Sequence, residues 1–202
     1  MGADLRWPLA ALLVAAAVPV GCGSSVHPSS TSALPRDLVA EARPIGRDAR
    51  FHPPARGPVL GRCRAGLGPR VGVHVEVFAA NRVVLVPAGI GTRPPRTIFA
   101  GRVADARCYG DLVTIDPTGL VLVRPGSRLT VAAIFRSWGQ PVSSRRIASF
   151  AAPRGGRVAV FVDGRARRGP PGGVPLTRHA EIVLEVGPSV PPHASYTFPP
   201  AT

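Results

Sequence analysis

Residues 71–78 read Val71-Gly72-Val73-His74-Val75-Glu76-Val77-Phe78, with valine at every odd position and Gly, His, Glu and Phe at the even ones. A period of two places the valines on one face of a strand and leaves the other face chemically mixed. Ala79–Arg82 is then a turn, with Asn81 suited to a positive φ. The chain returns as a second strand over Val83–Val86 and stops at Pro87. Thr97–Val103 reads as a further short strand. Leu112–Asp116 and Leu120–Arg124 flank Pro117-Thr118-Gly119, a hairpin signal. Alternation breaks over Leu129–Trp138, where Leu129, Ala132, Ala133, Ile134 and Phe135 gather on one helical face and Gly139 supplies the stop. Arg157–Val162, a turn at Asp163-Gly164 and Ala180–Val186 close the pattern. The expected fold is α+β: a small mixed sheet with one short helix, β-grasp-like, preceded by a disordered tether.

Composition narrows the class. The chain has 202 residues, 24 of them Pro and 23 Gly, and a net charge of +14. All 25 basic residues are Arg and the one Asn is Asn81, a bias that a GC-rich coding background explains as readily as function does. Collagen is excluded because no glycine period exists, and a coiled coil because no heptad run survives the prolines. A multi-pass membrane protein is excluded as well. The expected division is a signal peptide over 1–21, a disordered linker over 22–59, the α+β domain over 60–187 and a Pro-rich tail over 188–202. His27 and His52 in the linker and His193 in the tail read as solvated loop histidines; Tyr196 and Phe198 are the tail residues able to pack on the body.

Trp7–Val20 carries no charge and is broken by Pro8 and Pro19. As a helix it would span about 21 Å, short of the roughly 30 Å hydrocarbon core, so it reads as a signal peptide. Gly21-Cys22 resembles the end of a bacterial lipoprotein signal, which makes Cys22 the lipidated first residue of the mature chain, although Pro19 stands where that pattern prefers Leu. Cleavage after Ala17 and plain secretion is the alternative. The expected location is therefore the outer face of the cell membrane, through a lipid anchor, or otherwise the medium.

Cys63 and Cys108 remain once Cys22 carries lipid. Two thiols in an exported chain are expected to form one disulfide. Neither GRCRAG nor ARCYGD offers the base or helix N-terminus that a reactive thiol needs.

The body resembles a family of exported domains found largely in actinobacteria. The residues that carry the likeness are His74, Val86-Pro87-Ala88-Gly89-Ile90-Gly91, the segment with Cys108, Leu112, Thr114, Asp116, Thr118, Gly119 and Val121, Trp138-Gly139-Gln140-Pro141, Val160-Phe161-Val162-Asp163-Gly164, and Leu176-Thr177-Arg178-His179-Ala180-Glu181-Ile182. The resemblance covers about residues 60–187 and implies no established activity. Where the family pattern has hairpin histidines, this chain has Val113, Ile115 and Leu122. Branched aliphatics offer no lone pair, so any metal or acid–base chemistry of those histidines is lost, and the face is expected to pack as core against the helix carrying Phe135 or Trp138.

His74 and His179 are the weak metal candidates left, one short of a three-ligand site; Asp111 and Asp116 read as turn carboxylates. No nucleophile elbow, phosphate loop or zinc-protease motif is present, and no cofactor is expected. Glu181 and Glu185 share a strand face and read as solvent-facing. Residues 60–187 carry 19 Arg against 7 acids, net +12, which suits an anionic envelope component, whereas nucleic acid is not expected for an exported chain with few aromatics. An enzyme is not expected. The reading is an envelope-anchored, non-catalytic module, structural or protein-binding, its protein partner not specified by the sequence. A metal- or small-ligand-binding protein and an electrostatic binder of anionic envelope polymers are the alternatives.

Overall fold

The computed structural model of the chain describes residues 43–188 and 195–202; the stretch expected to be a signal peptide, Cys22, His27, the expected linker up to 42 and His193 lie outside them. The elements are β1 (Val71–Ala79), β2 (Arg82–Val83), β3 (Thr92–Phe99), β4 (Arg102–Tyr109), β5 (Leu112–Val113), β6 (Leu120–Val123) and α1 (Val131–Trp138). A meander follows, β7 (Val142–Ser143), β8 (Arg146–Ile147) and β9 (Phe150–Ala151), then β10 (Ala159–Val162), β11 (Arg165–Ala166), a 3-10 turn at Pro171–Gly173, and β12 (Glu181–Val186). The fold is α+β, mostly strands with one short helix. No helix among the described residues is long and apolar enough to cross a membrane.

The main sheet runs β11-β10-β12-β1-β6-β5, with β2 also on β1. β1 and β12 are parallel neighbours at its centre, and each has an antiparallel partner outside, β6 and β10. First and last strands side by side with a helix in the crossover make the arrangement β-grasp-like. Alternation sorts the side chains. Val73, Val75 and Val77 of β1, Ile182, Leu184 and Val186 of β12, and Leu112, Val121 and Val123 fall in one core with Val131, Ile134, Phe135 and Trp138 of α1. Gly139 ends α1 in the left-handed region (φ 81°), and its N–H reaches back to the carbonyls of Phe135 and Arg136.

The opposite face carries a second core, and here one expectation is corrected. Val113, Ile115, Leu120 and Leu122 are buried together, but against Val103, Ala106 and Tyr109 of β4 and against Tyr196 and Phe198, not against α1. Val113 stands opposite Leu122 and Leu112 opposite Val123. Since Leu112 and Val123 point to the helix, their neighbours must point away from it.

The boundaries are corrected too. Part of the span assigned to the linker belongs to the body: Phe51 is buried, Val83 donates to the Pro44 carbonyl, and the Trp138 indole donates to Pro53 at 2.8 Å. Residues 195–202 of the expected tail likewise cover the second core. Thr97–Val103 is not one strand but the tip of the β3–β4 hairpin, where Ala100 and Gly101 both take positive φ. β7–β9 were not foreseen at all. Asn81 (φ 60°) and Asp163 (φ 51°) make turns as expected.

Cys63 and Cys108 are bonded, their Cα atoms 5.3 Å apart across a separation of 45 residues. That lies within the roughly 7 Å reach of a disulfide. Arg64 and Tyr109 exchange backbone hydrogen bonds beside it, so the bridge clamps the segment before β1 onto the end of β4.

Candidate functional site

The parallel register of β1 and β12 sets His74 opposite Glu181. His74 Nδ1 lies 2.8 and 3.0 Å from the two carboxylate oxygens of Glu181, and Nε2 lies 2.8 Å from the Thr118 carbonyl. A carbonyl only accepts, and so does a carboxylate, so both ring nitrogens donate and His74 is an imidazolium. Burial works against that charge. The Glu181 hydrogen bond and charge, the Thr118 carbonyl and the Glu76 charge outweigh it and lift the His74 pKa above its ordinary 6.5.

The loop after Pro117 must come close for this to happen. A Cβ at Gly119 (φ 83°) would sit 2.6 Å from the Val75 carbonyl and 3.0 Å from His74 Nε2, so only glycine fits. Thr114 fixes the other end of the loop. Its hydroxyl donates to Pro87 and accepts from the Ile90 N–H, which ties Val86–Gly91 to β5. Tyr196 closes the site as a roof, stacked on the imidazole, with the Phe198 ring edge-on beside it. A cleft of about 210 Å³ reaches Glu76 from the side, between Pro117–Gly119 and residues 83–86.

The structure overturns the solvent-facing reading of the two glutamates. Both are buried at 2% exposure. Glu181 holds His74, and Glu185 holds the Arg43 guanidinium at 2.6 Å, which in turn lies over the Phe78 ring. The even positions of β1 and the odd positions of β12 share the second face, and they are buried or half-buried there because the segment from 43 and the tail cover it. Sequence reasoning missed this, since no local signal marks a face covered from a distance.

His74, Glu76 and Glu181 bring one donor atom each within 4.8 Å of one another. His179 does not join them. It is exposed, has φ 61°, stacks on Phe198 and bonds the Thr202 main-chain oxygen. As built, His74 has no lone pair to give a metal, because both nitrogens carry hydrogen. Asp111 pairs with Arg124 at 3.1 Å and Asp116 with Arg102 at 3.5 Å, in keeping with turn carboxylates.

Comparison with family models, curated proteins and solved structures finds no match to the chain.

Proposed function

We propose that this protein is an envelope module, held at the outer face of the cell membrane through lipid on Cys22, that acts by structure or by binding another protein rather than by catalysis. The observation that carries this reading is the closed His74–Glu181 pair. The cluster best equipped for chemistry among the described residues spends its donors on internal acceptors under an aromatic roof. A disulfide bracing the body suits an oxidising compartment. The residues that carry the resemblance to an exported actinobacterial family include the Val86–Gly91 loop held by Thr114, the buried Trp138 with its helix stop at Gly139, and the buried Glu181, which suits a structural role for them. The test is fractionation of cells expressing the chain and Cys22→Ala. The parent is expected with membranes and the variant in the medium; the same distribution for both would remove the anchor.

A second reading, electrostatic attachment to an anionic envelope component, draws on one arrangement. Arg145, Arg146, Arg154, Arg157, Arg165, Arg167 and Arg168 are all exposed, and none forms an ion pair among the described residues. The fold gathers them at one edge: Val158 bonds back to Ser144, and Arg167 to Val160. Asp163 is the one acid between 145 and 168. Arg165→Gln/Arg167→Gln/Arg168→Gln should release the unlipidated protein from cell-wall material, and a matched Arg62→Gln/Arg93→Gln/Arg107→Gln variant should not. Equal loss from both would mean net charge alone is at work.

A further inference from the structure

The end of the sheet where β1 begins and β6 finishes carries a row that its strands cannot balance. Val71 stands opposite Val123 and Leu112 opposite Val123 from the other side. One step further along the same registers, Arg70, Arg124 and Asp111 lie side by side. Two guanidinium groups therefore meet across a strand pair with a single carboxylate beside them, an opposition that ordinarily destabilises a sheet.

The hydrogen bonds deepen the imbalance. Arg70 is buried, with 7% exposure, and its Nε donates to the Leu67 carbonyl at 2.8 Å. Arg124 Nε donates to Asp111 at 3.1 Å. Beyond these, Arg70 Nη1 and Nη2 and Arg124 Nη2 are buried and have no hydrogen-bond partner. Burial and the neighbouring charges of Arg124 and Arg64 lower the Arg70 pKa to about 10, with Asp111 opposing, so at neutral pH the side chain keeps its charge. A buried charged group that cannot shed its proton needs a counter-charge, which water does not supply.

We propose that Arg70 and Arg124 form an oxyanion site that takes a phosphate group, the paired Nη donors of Arg70 and Nη2 of Arg124 each meeting a ligand oxygen. A forked guanidinium matches phosphate geometry, as a point-charge lysine would not. The segment over Arg70 is the loop 64–69, which contains Gly66 and Gly68 and is exposed except at Leu67. It leaves the Cys63–Cys108 bridge directly, so the disulfide sets where the loop starts. This site is separate from the arginine edge at 145–168 and does not depend on how the chain is anchored.

The experiment uses the full unlipidated chain (Cys22→Ala) after exhaustive dialysis into a phosphate-free buffer. Inorganic phosphate is titrated at constant ionic strength, with chloride as the control anion. Phosphate is expected to raise the melting midpoint by several degrees and chloride to leave it unchanged. Arg70→Met should abolish the phosphate shift while melting no lower than the parent in phosphate-free buffer, since it removes an uncompensated buried charge. Arg124→Gln, a second variant, should weaken phosphate binding at least tenfold, and Arg145→Gln/Arg167→Gln should leave it intact. Glycerol 3-phosphate and phosphatidylglycerol vesicles distinguish the sources: a shift with phosphate alone assigns the free anion, and a shift retained with either of the others assigns a headgroup. Equal responses to phosphate and chloride would overturn the site. So would Arg70→Met losing the same stability with and without phosphate, which would make Arg70 a packing residue only.

Discussion

Tyr196 lies flat on His74, with ring centroids 3.7 Å apart and planes 8° from parallel. A residue near the end of the chain thus closes the middle of the first strand. Removing residues 195–202 uncovers His74 and the aliphatic side chains of the second core. Tyr196→Ala is expected to lower stability by about 1–3 kcal/mol, and the truncated chain to bind a hydrophobic dye that the full chain does not. Unchanged melting with no dye binding would mean the tail rests on the body without contributing.

The His74 pair makes stability depend on pH in a stated direction. Its folded pKa is raised above 6.5, so its contribution is complete below the unfolded value and is lost as pH rises through the folded one. Glu181, Glu76 and the Thr118 carbonyl face the ring, and Tyr196, whose own pKa is raised by burial and by Asp116 and Glu181, covers it. Urea midpoints should therefore fall as the pH rises through a window that begins above about 6.5. His74→Gln should flatten that slope. A parent protein equally stable across the window would show the imidazolium reading to be wrong.

Loss of the Cys63–Cys108 bridge opens a long loop in the unfolded chain. The paired Cys63→Ala/Cys108→Ala variant is expected to be about 3–4 kcal/mol less stable on the loop-entropy estimate. The check is equilibrium unfolding of oxidised, reduced and variant protein; if all three unfold at one midpoint, the clamp contributes nothing.

Val113→His/Ile115→His/Leu122→His places three imidazoles in a core that now holds aliphatics. Each lost apolar side chain removes roughly 1.5–3 kcal/mol of burial, so the variant should melt well below the parent in the absence of metal and recover in part with zinc. The parent itself should not respond to zinc, because His74 presents two N–H groups and no lone pair. A zinc-dependent rise in the parent melting midpoint would sink that argument.

What the sequence disclosed was whatever its local periods encode. Valine alternation over 71–78 located β1, the apolar face of 129–138 located α1, and Asn81, Asp163 and Gly139 marked their turns and stop. The second face of the sheet was not legible. Val113, Ile115, Leu120 and Leu122 announced a buried face, but what buries it is a hairpin from 92–109 and a segment some 75 residues further on, and no pattern in 112–123 names either. Glu181 and Glu185 misled for the same reason: a carboxylate on a strand is solvated by default, and Arg43 and His74 reach them only through the tertiary fold. Proline masked the rest. The segment from 43 reads as tether because its Pro and Gly forbid a period, yet Phe51 and the Pro53 carbonyl belong to the core around Trp138.

The parallel pairing of β1 with β12 also constrains the order of events for a chain delivered N-terminus first. The central pair cannot close until Glu181–Val186 has emerged, more than a hundred residues after β1, and Tyr196 cannot seal His74 until later still. Every partial chain keeps its valine strand without the neighbour it was built for. Residues made early therefore wait for partners made late, and Tyr196 can add its roof over His74 only once β12 has paired with β1.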